Sequence, residues 1–153
     1  MSMKRYKSNV TLQGNDFAYI AIHSALPSHE LSWHIHKKTE LQFVREPSTI
    51  PLIQDGTNGV SSHVVFYFKG LGNIRPMWLV KNIGNNTPLI RVKPIPDYIL
   101  VSQIHSEFEN NADWVRILRE IQKVDMAYLF PEDRTKKMKW VLNLPHLIPS
   151  SAE

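Results

Sequence analysis

The sequence predicts a single α+β domain, with about six strands in a mixed sheet and two principal helices on one face. Three observations lead there. Short runs of branched and aromatic residues, each bounded by glycine, proline or asparagine, recur along the chain as strands do. One later segment carries a clear 3.6-residue apolar period. A chain of 153 residues, 42% hydrophobic and 21% charged, is long enough to bury one core without staples. The nearest simple description is a ferredoxin-like-related layout with an inserted hairpin, leaving the opposite face or an edge exposed for self-association.

"FAYIAIHS" (17–24) lies between a polar turn and "GND" and reads as the first, mostly buried strand. "LQFVRE" (41–46) gives a second strand, and "SSHVVFYFKG" (61–70) a third that ends at glycine. Between them, "PSTIPLIQDGTNGV" holds Asp55-Gly56 and Asn58-Gly59, turn pairs that predict an edge strand leading into a hairpin. "MWLVKNIG" (77–84) and "DYILVSQIH" (97–105) follow as the fourth and fifth strands, with Pro94 and Pro96 keeping the approach to the latter extended. In "NADWVRILREIQKV" (111–124), Trp114, Ile117, Leu118 and Ile121 share one helical face opposite Arg116, Arg119, Glu120 and Lys123. "DMAYLF" (125–130) then returns as a strand, so that 97–130 reads as a β-α-β unit with parallel strands. The final run "WVLNL" either adds an edge strand or packs across the sheet, and residues 1–15 and 145–153 read as flexible ends of the one domain.

"LSWHIHKK" (31–38) is ambiguous by pattern. As a strand it places His34 and His36 on one face about 7 Å apart, a spacing that suits zinc. As a helix it separates them by about 200°. Local alternation favours the strand. Pro27 and Ser28 as a start, Lys37 and Lys38 as a finish, and the interval between two strand-like runs favour the helix, which is the expectation adopted.

The chain has no cysteine, which removes thiol nucleophiles, disulfides and Cys-based zinc sites and fits a reducing, cytoplasmic setting. No apolar run reaches the ~20 residues of a membrane-spanning helix, and the basic start lacks the apolar core of a secretory signal. The net charge of +4 concentrates at Lys4, Arg5 and Lys7 and at Arg134, Lys136, Lys137 and Lys139. Such ends can attract phosphates but more often serve as solubilising tails, and no nucleic-acid motif accompanies them.

Nucleophile-elbow, phosphate-loop, dinucleotide and zincin patterns are all missing, and no cofactor or resident metal is expected. The remaining candidate ligand or metal site joins His23, at the end of the first strand, to His105 and Glu107 after the fifth, provided those strands are parallel neighbours. Glu132 and Asp133 read as a solvated turn. Trp33 and Trp78 are the candidate interface residues of a homodimer.

The series "FAYIAIHS", "LSWHIHKKTELQFVRE", "PDYILV", the helix and "AYLFPE" resembles the IPExxxVDY family of small bacterial proteins over most of 17–144. Leu31-x-Trp33-x-Ile35 and Asp97-Tyr98 match best. Ile90, Arg91 and Val92 stand where Ile-Pro-Glu is expected, and Pro96 replaces the valine. The resemblance implies the fold and a cytoplasmic bacterial context, with no assigned activity. Three functions follow as alternatives: a non-catalytic, self-associating interaction or structural domain; a small enzyme or ligand binder using strand-end histidines; and a weak nucleic-acid binder through the basic ends.

Overall fold

The computed structural model describes residues 16–103, 111–135 and 138–147. In chain order the elements are β1 (Phe17–Ser24), α1 (Ser28–Thr39), β2 (Val44–Arg45), β3 (Ile50–Ile53), β4 (Val60–His63) and β5 (Val65–Phe68). They continue as β6 (Met77–Lys81), β7 (Ile83–Gly84), β8 (Thr87–Pro88), β9 (Tyr98–Gln103), α2 (Asn111–Arg119), β10 (Val124–Leu129), α3 (Glu132–Thr135) and a 3-10 helix at Trp140–Asn143.

The main sheet has six strands in the order β10-β1-β9-β6-β5-β2. Every neighbouring pair is antiparallel, so the sheet is not mixed. The β-α-β unit formed by β9, α2 and β10 is split. Its two strands run the same way, as anticipated, but β1 lies between them and is antiparallel to both. In the same manner β9 separates β1 from β6, with α1 in the intervening chain. Two interlocked split units give β10-β1-β9-β6 the strand order of a ferredoxin-like sheet. The insertion between α1 and β6 supplies β2 and β5, which widen the sheet, and the separate β3–β4 hairpin.

Several boundaries move for physical reasons. The "SSHVVFYFKG" run divides at Val64: polar Ser61, Ser62 and His63 pair with β3, while apolar VFYF joins the sheet. Only Val44 and Arg45 of 41–46 are paired, because Leu41 and Phe43 turn inward to the core. The second helix ends at Arg119, and a turn closed by Ile121 N–H to the Leu118 carbonyl still buries Ile121.

Both faces of the sheet are covered. On one, Leu31 and Ile35 of α1 and Leu118 of α2 pack over Ile20, Ile22, Leu79 and Leu100. On the other, expected to be open, Leu52, Leu89, Ile90, Phe130, Met138, Trp140 and Val141 cover Tyr19, Trp78, Val80 and Ile99. "WVLNL" therefore packs across the sheet as a 3-10 turn, with Trp140 edge-on to Tyr19 at 5.7 Å. The following residues are held too. Trp78 Nε1–H donates to the Pro145 carbonyl at 2.8 Å, and His146 stacks on Tyr67 at 4.4 Å, so 145–147 are not a loose end.

The Asp97-Tyr98 pair fastens the connection from β1 to α1. The Ser24 amide donates to Asp97 Oδ2 at 2.8 Å, and the Tyr98 hydroxyl donates to the Leu26 carbonyl at 2.5 Å. Burial and the neighbouring Asp97 carboxylate push the Tyr98 phenol up to about 12, which keeps it a donor.

Candidate functional site

His23 is buried near the end of β1, where Tyr128 of β10 stacks on it at 5.6 Å and shares a 3.0 Å hydrogen bond with Nε2. His105 and Glu107 lie outside the described residues. The parallel pairing that was to bring them to His23 does not form. β9 is antiparallel to β1, with Tyr98 opposite Ile22 and Gln103 opposite Phe17. The C-terminal end of β9 therefore lies about 20 Å from His23, six strand residues away.

"LSWHIHKK" is helical, and Leu31, Ser32 and Ile35 form its buried side. His36 Nδ1 meets the Leu41 carbonyl at 3.3 Å, whereas His34 lies edge-on to Trp33, so the two imidazoles face different partners. Among the described residues no group of three His, Cys, Asp or Glu side chains is placed to hold a metal.

The two interface candidates part company. Trp78 is fully buried beneath Phe17 and Tyr67 and is a core residue, because the face it occupies is covered. Trp33 is 54% exposed on the outer side of α1, with Lys37 Nζ 5.4 Å from its ring centre. One basic residue of the C-terminal cluster is committed elsewhere: Arg134 pairs with Asp55 at 2.6 Å and clamps the β3–β4 turn.

Sequence reasoning passed over Ser61 and His63, two apart on β4 and therefore on one face. Ser61 Oγ lies 2.5 Å from His63 Nε2, and His63 Nδ1 lies 2.8 Å from the Lys81 carbonyl. A carbonyl only accepts, so Nδ1 carries the proton and Nε2 receives the serine O–H. This is the arrangement of a nucleophile, a base and an orienting group. Its surroundings are closed: His63 is fully buried, Ser61 is 6% exposed, and Gly84 packs against Ser62 and His63. A substrate has no approach, and the pair serves as a fully satisfied polar pin for the hairpin.

Burial holds His63 below the usual imidazole range, only partly opposed by the Lys81 carbonyl. The neutral form is the folded form. Below about pH 6.5 the unfolded chain takes up a proton that folded His63 refuses, so this contribution to stability is complete above 6.5 and is lost as the pH falls towards the depressed folded value. The slope is at most about 1.4 kcal/mol per pH unit for the one group. Urea midpoints at pH 7.5 and 5.5 should separate more in the wild type than in His63→Asn; equal separations would contradict this origin.

An imidazole–carboxylate pair lies at the end of the described chain. His146 Nε2 approaches Glu46 at 2.9 Å over Tyr67, whose phenol is raised by burial and by Glu46. It ties the last described turn to the segment after β2.

One open cleft gathers varied chemistry. It occupies 390 Å³ between the end of α1, the first turns of α2 and the turn joining β5 to β6. Lys38, Arg75 and Asp113 supply charge, Ser102 lies on its floor at the end of β9, and Trp114 and Ile117 form an apolar wall. Both helix residues are half-buried, and Trp114 also packs against the core beneath the helices.

No protein-family model matches the chain, and no curated protein or solved structure shows a significant match to it.

Proposed function

We propose that the protein is a non-catalytic interaction domain that self-associates through the outer face of α1. The observation carrying this reading is Trp33. Tryptophan is rarely left open, and Trp78 and Trp140 of this chain are wholly buried, yet Trp33 is more than half exposed in a well-formed helix. The sealed state of the Ser61–His63 pair supports a non-catalytic role.

A second copy suits this face. Two-fold pairing of antiparallel α1 helices about Trp33 stacks the indoles and brings Lys37 of each copy level with His29 and Glu30 of the other. Such a surface is self-complementary. Twelve helical residues span about 18 Å, and a strip of that length buries less than the ~800 Å² per partner of a standard interface, so the dimer is a weak one. The likeness to the IPExxxVDY proteins and a cytoplasmic location belong to the same reading, supported by the structural work of Asp97-Tyr98 and by the absence of cysteine. Among the described residues no helix is long and apolar enough to cross a membrane.

Sedimentation velocity across a micromolar range tests the assignment. The wild type should shift from monomer to dimer, Trp33→Ala should stay monomeric with an unchanged melting temperature, Glu30→Lys should weaken the dimer, and Glu30→Lys with Lys37→Glu should restore it. A wild type that remains monomeric throughout would overturn the proposal.

A further inference from the structure

Histidine is concentrated on the helix face that carries Trp33. Of the seven histidines in the chain, three lie on α1: His29 and His36 are exposed, and His34 is half-buried with its ring edge-on to Trp33. At about 100° per residue, with Leu31, Ser32 and Ile35 turned inward, Trp33 and Lys37 occupy the middle of the outer face. His29 and His36 flank them on one side, and Glu30 and His34 on the other. While the imidazoles are neutral this face is balanced, Glu30 against Lys37. Glu40 stands at the C-terminal end of the helix. The charged groups that other elements bring towards α1 lie on the Lys38 side: Glu120 and Asp113 of α2, both paired with Arg116, and Arg75 of the β5–β6 turn.

We infer that self-association through α1 is switched by pH, neutral imidazoles permitting the dimer and their protonation dissolving it; the inference rests on the two-fold pairing about Trp33 proposed above. A two-fold axis that reverses the helices sets each flank against the same flank of the second copy. With Trp33 at the axis, His34 lies one residue of rise beyond it, so the two His34 residues fall about 3 Å apart along the helix direction. On the other flank, His29 comes level with His36 of the second copy to within about 1.5 Å. Imidazoles take up a proton near pH 6.5, and each copy then gains three positive charges on this face. These meet like charges: His34 meets its own counterpart, and His29 meets His36 and Lys37 of the second copy. Protonated His29 also competes for Glu30, 3.9 Å away, the carboxylate that otherwise meets Lys37 across the interface. The dimer therefore binds fewer protons than two monomers, and it weakens as the pH falls.

Sedimentation equilibrium of the full chain tests the switch between about pH 7.5 and 5.5, over the interval in which circular dichroism shows the native fold. The dimer Kd should rise about tenfold or more towards the acid end in low salt, and by less in about 0.5 M sodium chloride, where surface charges are screened. His29→Gln, His34→Gln and His36→Gln together should leave Kd independent of pH. Each alone should remove part of the rise, so one folded single variant is enough to read the effect. His63 is retained in every variant, so its own response to acid is common to all of them. A wild-type dimer equally strong at both ends of the interval overturns the switch and leaves the Trp33 pairing standing, whereas a chain that is monomeric at pH 7.5 overturns both. A triple variant that keeps the full rise in Kd also overturns the switch.

Discussion

Replacing Asn82 by alanine is expected to lower the unfolding free energy by about 3–5 kcal/mol, because three buried backbone groups lose their partner at about 1–3 kcal/mol each, with partial relaxation. Asn82 is fully buried directly after β6. Its Nδ2 donates to the carbonyls of Ile90 and Pro96 at 3.0 and 2.8 Å, and its Oδ1 accepts from the Ile90 amide at 2.8 Å. Its backbone continues the pattern, donating to Asp97 and accepting from Leu89. One side chain thus stands in for a strand ladder over residues 89–97, beyond the short β7–β8 pairing, and this segment carries Leu89 and Ile90 onto the second face of the sheet. Asn82→Asp should be worse than alanine, since it removes both donors and turns a carboxylate towards two carbonyls. Urea unfolding measures both. A loss below about 1 kcal/mol for alanine, the worth of one ordinary hydrogen bond, would show that the loop does not depend on this residue.

The sequence made the sheet and helices legible where local and tertiary demands agree. α2 shows its period because Leu118, and Ile121 in the turn that follows, are buried while Arg116 and Arg119 are exposed. The turn pairs Asp55-Gly56 and Asn58-Gly59 lie between β3 and β4 as expected, with Gly56 at a φ of +83° that glycine accepts freely. The second face, expected as one of the places left exposed along with an edge, is covered, and the cue for this is visible in the first strand. All eight residues of β1 are buried, and "FAYIAIHS" is apolar at both parities, as strands covered on both sides are. The cover itself was harder to foresee, because it comes from short, irregular pieces around 82–90 and 130–144 that have no period to detect.

The candidate site was less legible for a related reason. Joining His23 to the residues after β9 requires parallel neighbouring strands, and a local pattern cannot decide the order and direction in which strands pair. Ser61 and His63 stood in plain alternation, but their partner is the carbonyl of Lys81, a backbone atom 18 residues on that no side-chain motif announces. The same applies to Trp33 and Trp78, identical in kind, where only packing separates an exposed indole from a core one.

Gly84→Ala is expected to cost about 3 kcal/mol from overpacking alone, and more if the His63 hydrogen bonds break with it. A Cβ at Gly84 would stand 2.0 Å from the Ser62 carbonyl oxygen and 2.9 Å from His63 Nδ1. The first of these is backbone and cannot rotate away. Ser62 is held by its place opposite Pro51 in the hairpin, so yielding means displacing β4 and, with it, the contact of His63 with Lys81. Gly56→Ala provides the contrast. There nothing lies within 4 Å of the added carbon, and only the positive φ of +83° is strained, a cost of about 1–2 kcal/mol. One glycine is required for space and the other for conformation. His63→Ala in the Gly84→Ala background removes the imidazole contact but leaves the Ser62 carbonyl, so the double variant should recover none of the stability lost at Gly84. Recovery would assign the clash to the imidazole instead, and a Gly84→Ala variant as mild as Gly56→Ala would show that the two hairpins can separate without cost.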